Sequence, residues 1–295
     1  MLTALYICEE VGFETYISNV NAEFIHSPSG QGGIRFINGP TMRAMSSVLP
    51  YMRANGGKFI QFPEKSKGET SAATFAYGKS LWEVFREQPE VLGDFIAYLN
   101  GRREGMVGHW FDIFPAKEKL TPIFDTIKDN EPLLVDVGGN ICYDVQAFQS
   151  RFPNYRGRLI LQDLPENITK ARDILKDTGI ECMEHDFFTP QPIKGAKVYY
   201  FGGIYHDWPD TEAKQILKNT AAAMNEDSRI IIDENPLPDE KAPIDLVAYD
   251  VLMMLNVSGI ERTIGHYKDI LDECGLQLVH AYPTKLDTVL EVKLK

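Results

Sequence analysis

The chain has 295 residues, 44% of them hydrophobic and 24% charged, enough apolar material to bury at least one full core. Acidic residues outnumber basic ones 42 to 30, for a formal charge of −12. With no basic block to track a phosphate backbone, neither nucleic acid nor an anionic membrane is expected as a partner. The four cysteines, Cys8, Cys142, Cys182 and Cys274, stand singly, without the CxxC pairs of a zinc site, which fits a reducing cytoplasm better than secretion. No apolar run approaches the roughly 20 residues of a membrane span, and "MLTALYICEEVG" meets acidic residues before a signal-peptide core can form.

Along the chain, the rhythm changes near residue 130. Before it, "TMRAMSSVLPYMRANG" and "SLWEVFREQPEVLGDFIAYLNGRREGMVGHWFDIF" place apolar residues three and four apart, with Pro and Gly between segments, and this spacing predicts helices. After it, the short apolar runs "LLVDV", "RLILQDL", "KVYYF" and "RIIIDE" alternate with helical stretches such as "ENITKARDILKD" and "DTEAKQILKNTAAAM", the pattern of a parallel sheet wrapped by helices. At the end, "LQLVHAYPT" and "TVLEVKLK" lie only a few residues apart, so the last two strands should form an antiparallel hairpin.

Ligands of open α/β sheets bind beyond the carboxyl ends of the strands, and four of those ends are unusually polar. The first carries Asp136 and the turn Gly138-Gly139, where bare N–H groups at a helix start can hold an anion. The second ends in Asp163, 25 residues after Gly138, about where an acid would take the hydroxyls of a ribose. "HDFF" brings Asp186 and Phe187 to a third end, an acid for an adenine amino group beside a ring for its face. "YYFGGIYHDWPD" brings His206 and Asp207 to the fourth. Each feature has a plainer reading: a tight turn for the glycines, helix caps for Asp163 and Asp186, a half-buried structural imidazole for His206. The set is worth more than its members, because packing asks for apolar residues at strand ends.

Together "VDVGG", "LQDLP", "HDFF", "HDWPD", "DEN" and "ERT" resemble the small-molecule O-methyltransferases of fungi and plants, in order and at similar spacing, from about residue 10 to the C-terminus. The resemblance implies a doubly wound, mostly parallel α/β sheet of seven strands, Rossmann-like, over 130–295, a helical region over 31–129 that covers the acceptor and serves dimerisation, and a winged-helix remnant over 1–30. It implies S-adenosylmethionine as cofactor, a phenolic or enolic small molecule as acceptor and a homodimer as the assembly. Gly138 and Gly139 would approach the cofactor's amino-acid end, Asp163 its ribose, and Asp186 with Phe187 its adenine. His206 would be the general base, held by Glu234 and Glu261, with Asp207, Asn256 and Met253 at the acceptor; for Met253 and Met254 plain core packing is an equal alternative.

The chain departs from the family at three places. Asn140 and Cys142 stand where the glycine loop carries glycine, and the Cys142 side chain is expected to point toward the cofactor. Gly202 replaces a lysine or arginine four residues before the histidine. The front looks truncated. These departures keep open a protein of this fold without transfer activity, either a pericyclase or an inactive fragment. A NAD-dependent dehydrogenase is more remote, since only the first glycine of its G-x-G-x-x-G pattern is present.

Overall fold

A computed structural model describes residues 3–58, 70–102, 108–284 and 287–295. The described residues divide into two compact units: residues 3–58 with 70–102 and 255–257, and residues 108–254 with 258–284 and 287–295.

The first unit begins with an antiparallel hairpin of β1 (Cys8–Gly12) and β2 (Thr15–Ser18) and continues in helices. Within 80–114 the helical spacing, with Pro and Gly between segments, resolves into separate helices whose starts are written in the sequence. Ser80 and Glu83 form a reciprocal cap that starts the helix Leu81–Glu87, and Pro89, tolerated at a first helical turn, opens the next one at Pro89–Arg102; residues 103–107 lie outside the described ones. The helix Pro28–Phe36 crosses Pro89–Arg102 closely. A Cβ on Gly32 would lie 2.7 Å from the Asp94 carbonyl, Phe36 meets Phe95 at 4.9 Å, and Arg35 pairs with Asp94 at 2.6 Å.

The second unit holds a sheet of seven strands: β3 (Pro132–Val137), β4 (Arg158–Asp163), β5 (Glu181–Glu184), β6 (Val198–Gly202), β7 (Arg229–Glu234), β8 (Leu276–Pro283) and β9 (Thr288–Leu294). Their order is β5-β4-β3-β6-β7-β9-β8. The first five run parallel, and β9 pairs antiparallel with both β7 and β8, which is the terminal hairpin the sequence announces. The mostly parallel α/β fold expected from the sequence is therefore present.

Alternation of side chains across a strand sends Val198 and Tyr200 into one buried cluster with Trp110, Phe148 and Ile168, and sends Tyr199 and Phe201 into another with Ile216, Leu217 and Ile270. Both faces of the sheet are covered by helices, as continuous apolar strands require. The helices Trp110–Ile113 and Ala116–Phe124 contribute Trp110, Leu120 and Phe124 to the first cluster, and Phe114, between them, joins it, so the sheet unit begins well before residue 130. β5 is short and mostly half-buried, and for that reason its sequence, Glu-Cys-Met-Glu, shows no apolar run.

Candidate active site

The carboxyl ends of β3, β4 and β6 open on one another around the turn that follows β3. Gly138 has φ +75°, a left-handed backbone open to glycine, and a Cβ there would lie 2.6 Å from Ile204 Cδ1 and 3.7 Å from Phe187 Cε1. Gly139 is as confined: a Cβ would lie 2.5 Å from Leu161 Cδ1 and 2.6 Å from Asp136 Oδ2. The N–H groups of this turn are not bare. Those of Gly138 and Gly139 donate to the Gln162 carbonyl at 2.8 and 3.3 Å, so the glycines contribute room rather than donors.

Asn140 and Cys142 keep the left-handed conformation without glycine, at φ +54° and +96°. Such a conformation costs an ordinary side chain about 1 to 2 kcal/mol. The Cys142 side chain does not point into the turn, contrary to the sequence-based expectation. It is 2% exposed within the first core cluster, with Sγ 3.6 Å from Gln146 Oε1. The positive φ turns its Cβ inward, and burial beside Asp136 pushes the thiol pKa up to about 11.

Asp163 fastens the turn to β4. Its Oδ2 accepts the Asn140 N–H at 2.8 Å, and its Oδ1 accepts the Leu164 N–H at 2.7 Å and the Asn167 amide at 2.8 Å. These take three of the roughly four acceptor positions of a carboxylate and leave one on Oδ2 for a hydroxyl. Burial raises the Asp163 pKa despite the three donors. Asp186 is exposed and Oδ1 caps the Phe188 N–H at 2.9 Å. Phe187 is half-buried, edge-on to Phe188 at 5.0 Å and to Trp208 at 6.0 Å.

After β6 the chain makes a single tight turn, Tyr205–Asp207, and His206 on it is 8% exposed. Its Nδ1 lies 2.7 Å from Glu261 Oε1 and 3.5 Å from Glu234 Oε2. On the other side of the ring, Nε2 lies 3.8 Å from Asp207 Oδ1, and a Cβ on Gly203 would be only 3.6 Å away. The two glutamates differ in duty. Glu234, at the end of β7, receives the N–H groups of Ile204, Tyr205 and His206 on Oε1 at 3.1, 2.7 and 3.4 Å, so it anchors the turn, while Glu261 makes the short bond to the ring.

Burial alone would lower the imidazole pKa, but the charges of Glu234, Glu261 and Asp207 and the bond to Glu261 outweigh it and hold the ring protonated well above its usual range. Burial also pushes the Glu234 carboxyl up to about 7, against the pull of the His206 charge.

Three of the residues that fix this arrangement escape a reading of the sequence. Asp250 accepts the Glu261 N–H at 2.8 Å. Tyr249 lies ring to ring with His206 at 6.1 Å. Gly259 lets its segment press against the turn: a Cβ there would lie 3.2 Å from the Asp207 Cα, and the Ile260 N–H donates to the His206 carbonyl at 2.7 Å. The only signal in the sequence is the nearness of Gly259 to "ERT".

The helix Ile244–Val257 carries the residues expected at an acceptor. Met253 and Met254 are half-buried in the second unit. Asn256 belongs to the first, where it is 5% exposed, bonds Thr41 Oγ1 at 3.3 Å through Nδ2 and receives the Ser71 hydroxyl on its carbonyl at 3.2 Å.

Residues 66–277 match the O-methyltransferase domain family. The chain belongs to that family. The methyltransferase is 30% identical over 299 residues to methyltransferase cfoC of Aspergillus candidus, an alignment that covers 99% of this chain and 71% of cfoC. It is 39% identical over 173 residues to demethylsterigmatocystin 6-O-methyltransferase stcP of Emericella nidulans, covering 59% of this chain and 82% of stcP. Among solved structures, a pericyclic reaction enzyme superposes with a TM-score of 0.87 at 25% identity, over 100% of this chain and 74% of the other. Two solved relatives hold S-adenosylmethionine or its demethylated product: LepI in complex with S-adenosylmethionine, 25% identical, and OxaC in complex with S-adenosylhomocysteine and oxaline, 28% identical. The residues present fit S-adenosylmethionine as cofactor: glycine where Ile204 and Phe187 leave no room for a side chain, one acceptor position on Asp163 for a ribose hydroxyl, and no thiol in the turn.

Proposed function

We propose that the chain methylates a phenolic or enolic hydroxyl of a secondary metabolite, with His206 as general base. The observation that carries the reading is the tethering of the ring: Glu261 holds Nδ1 at 2.7 Å, so a proton is fixed on that nitrogen and Nε2 is the atom left to accept another. The cofactor supplies an electrophilic methyl group on a positively charged sulfur.

A phenol, with a pKa near ~10, keeps its proton at neutral pH. Nε2 takes that proton as negative charge develops on the acceptor oxygen, and the imidazolium so formed is stabilised by Glu261 and Glu234. Asp207, beside Nε2, orients the acceptor hydroxyl, and Met253 and Tyr249 supply apolar surface to a flat acceptor. Asp163, Asp186 and Phe187 hold the ribose and adenine of the cofactor, with Gly138 and Gly139 at its amino-acid end.

Because the charges of Glu234, Glu261 and Asp207 raise the imidazole pKa, the base form grows as pH rises, and the rate should rise with it. The retained trio of His206, Glu234 and Glu261 favours transfer over the pericyclic chemistry of the structural relative, which needs no base for an acceptor hydroxyl. The test is transfer of labelled methyl to a panel of phenols. His206→Ala should lose about 10²- to 10⁴-fold in kcat while S-adenosylhomocysteine affinity, read by calorimetry, stays within twofold. Full transfer by a folded His206→Ala protein removes the general base, and no transfer by the wild type to any acceptor favours the reading without transfer.

We place the enzyme in a reducing cytoplasm as a homodimer. Among the described residues all four cysteines are unpaired, and the first unit leaves Tyr6 77%, Phe13 92%, Val20 75% and Phe24 55% exposed, an apolar surface that a second copy would cover. Light scattering that finds a stable monomer at high concentration contradicts the dimer.

A further inference from the structure

We infer that Arg262 is a positioning residue for methyl transfer, holding the His206 ring on Glu261 by clamping the backbone on both sides of the histidine. Its side chain is among the largest that are fully buried, at 1% exposure, and a buried guanidinium demands partners for its donors. It has them in one loop. One terminal nitrogen donates to the Tyr205 carbonyl at 2.7 Å, and the other to the Trp208 carbonyl at 2.7 Å and to Asp210 Oδ1 at 2.9 Å. Nε bonds the same Asp210 oxygen at 3.0 Å.

The carbonyls that Arg262 holds belong to the residue before His206 and to the second residue after it. The Ile260 N–H takes the carbonyl of His206 itself, and Glu234 takes the N–H groups of residues 204 to 206. Arg262 is thus the side-chain donor to a turn whose other anchors are an acceptor and a backbone amide. It is also the neighbour of Glu261, so two consecutive side chains fix the ring and the backbone that carries it.

Their own segment is fixed in turn, by the Glu261 N–H on Asp250 and the Leu237 N–H on the Arg262 carbonyl at 3.0 Å. His266 Nε2, 2.7 Å from Asp210 Oδ2, holds the far side of the clamp. A lysine in this place would keep the charge but lose the planar fork that reaches two carbonyls and a carboxylate at once. Displacement of about 1 Å at a catalytic group costs on the order of 10²-fold in rate.

The kinetic consequence rests on the reading of His206 as the base; the orientation of the ring does not, and the two are measured separately. Arg262→Lys is made in the full chain, His206 is followed among the six histidines by nitrogen-15 NMR of the imidazoles, with His206→Ala to assign it, and kcat and S-adenosylhomocysteine affinity are measured on the same protein. The expected result is a His206 titration about one pH unit lower than in the wild type, as the ring loosens from Glu261, with kcat down about 10- to 100-fold and affinity within twofold.

A titration unchanged in the folded variant overturns the inference whatever the rate does. A shifted titration with an unchanged kcat upholds the clamp and instead refutes the base. If Arg262→Lys does not fold, Asp210→Asn takes its place: it removes the carboxylate from the guanidinium and leaves both carbonyl bonds, so a shift in the same direction but smaller is expected, and none at all overturns the inference.

Discussion

Replacing Glu234 by glutamine isolates the charge beside His206, because the structure fixes which way the amide must lie. Three N–H groups converge on Glu234 Oε1, so the glutamine oxygen takes that position and the NH2 takes the place of Oε2, 3.5 Å from Nδ1. The bond of Nδ1 to Glu261 at 2.7 Å is untouched, and the tautomer is unchanged. What is lost is one negative charge facing the ring. An opposite charge at such a distance moves a pKa by about 1 to 3 units, so the rise of kcat with pH should begin about 1 to 3 pH units lower in Glu234→Gln. The plateau should fall, because a less basic imidazole draws the proton less strongly.

Stability changes with the opposite profile. In the folded wild type the Glu234 pKa is raised to about 7, so the folded state holds a proton that the unfolded state has released. Stability is then lost as pH climbs from the ordinary carboxylate range through about 7. The raised His206 pKa adds a loss of the same sign above 6.5. Glu234→Gln should therefore gain in Tm relative to the wild type above pH 7 and not below pH 4. Methyl transfer followed from pH 5 to 10, with thermal melts over the same range, reads both quantities. A kcat profile that stays in place or moves to higher pH refutes the assignment of Glu234 as a charge acting on the ring.

Three further outcomes follow from the cofactor turn. Cys142→Gly should leave S-adenosylhomocysteine affinity within about twofold by calorimetry, since the thiol lies in the core; its stability should change by less than about 1 kcal/mol, relief of the positive φ offsetting the lost packing. Gly138→Ala should lower Tm and weaken the cofactor together, its Cβ meeting Ile204 at 2.6 Å in a backbone that already disfavours a side chain, at a cost of about 1 to 3 kcal/mol. Asp163→Ala should weaken S-adenosylhomocysteine by about 10- to 100-fold and lower stability as well, because the Asn140 and Leu164 N–H groups lose their acceptor; an unchanged affinity would reduce Asp163 to a fastening of the turn.

The sequence by itself determined the sheet. Runs such as "LLVDV" and "RIIIDE" are apolar on both faces because helices cover both, and polar residues at their ends stand out for that reason. His206, Glu234 and Glu261 could be named from their motifs, and the structure brings them within one cluster.

Other features depended on distance across the fold. The Gln162 carbonyl occupies the N–H groups of Gly138 and Gly139, a contact that exists only because β4 lies beside β3. The inward turn of Cys142 follows from a backbone angle that no side chain encodes. The helices Trp110–Ile113 and Ala116–Phe124 read as part of the helical front, because their periodicity is that of any amphipathic helix; that they pack on the sheet was decided by the surface they found. Arg262 reads as one more charge in "ERT" until a chain separation of more than 50 residues is folded away and its guanidinium meets the carbonyls of Tyr205 and Trp208. Local order in the sequence fixes which strands and turns form, but the partners of a buried polar group are chosen only when the elements pack, because its hydrogen bonds must then be satisfied by whatever lies within about 3 Å.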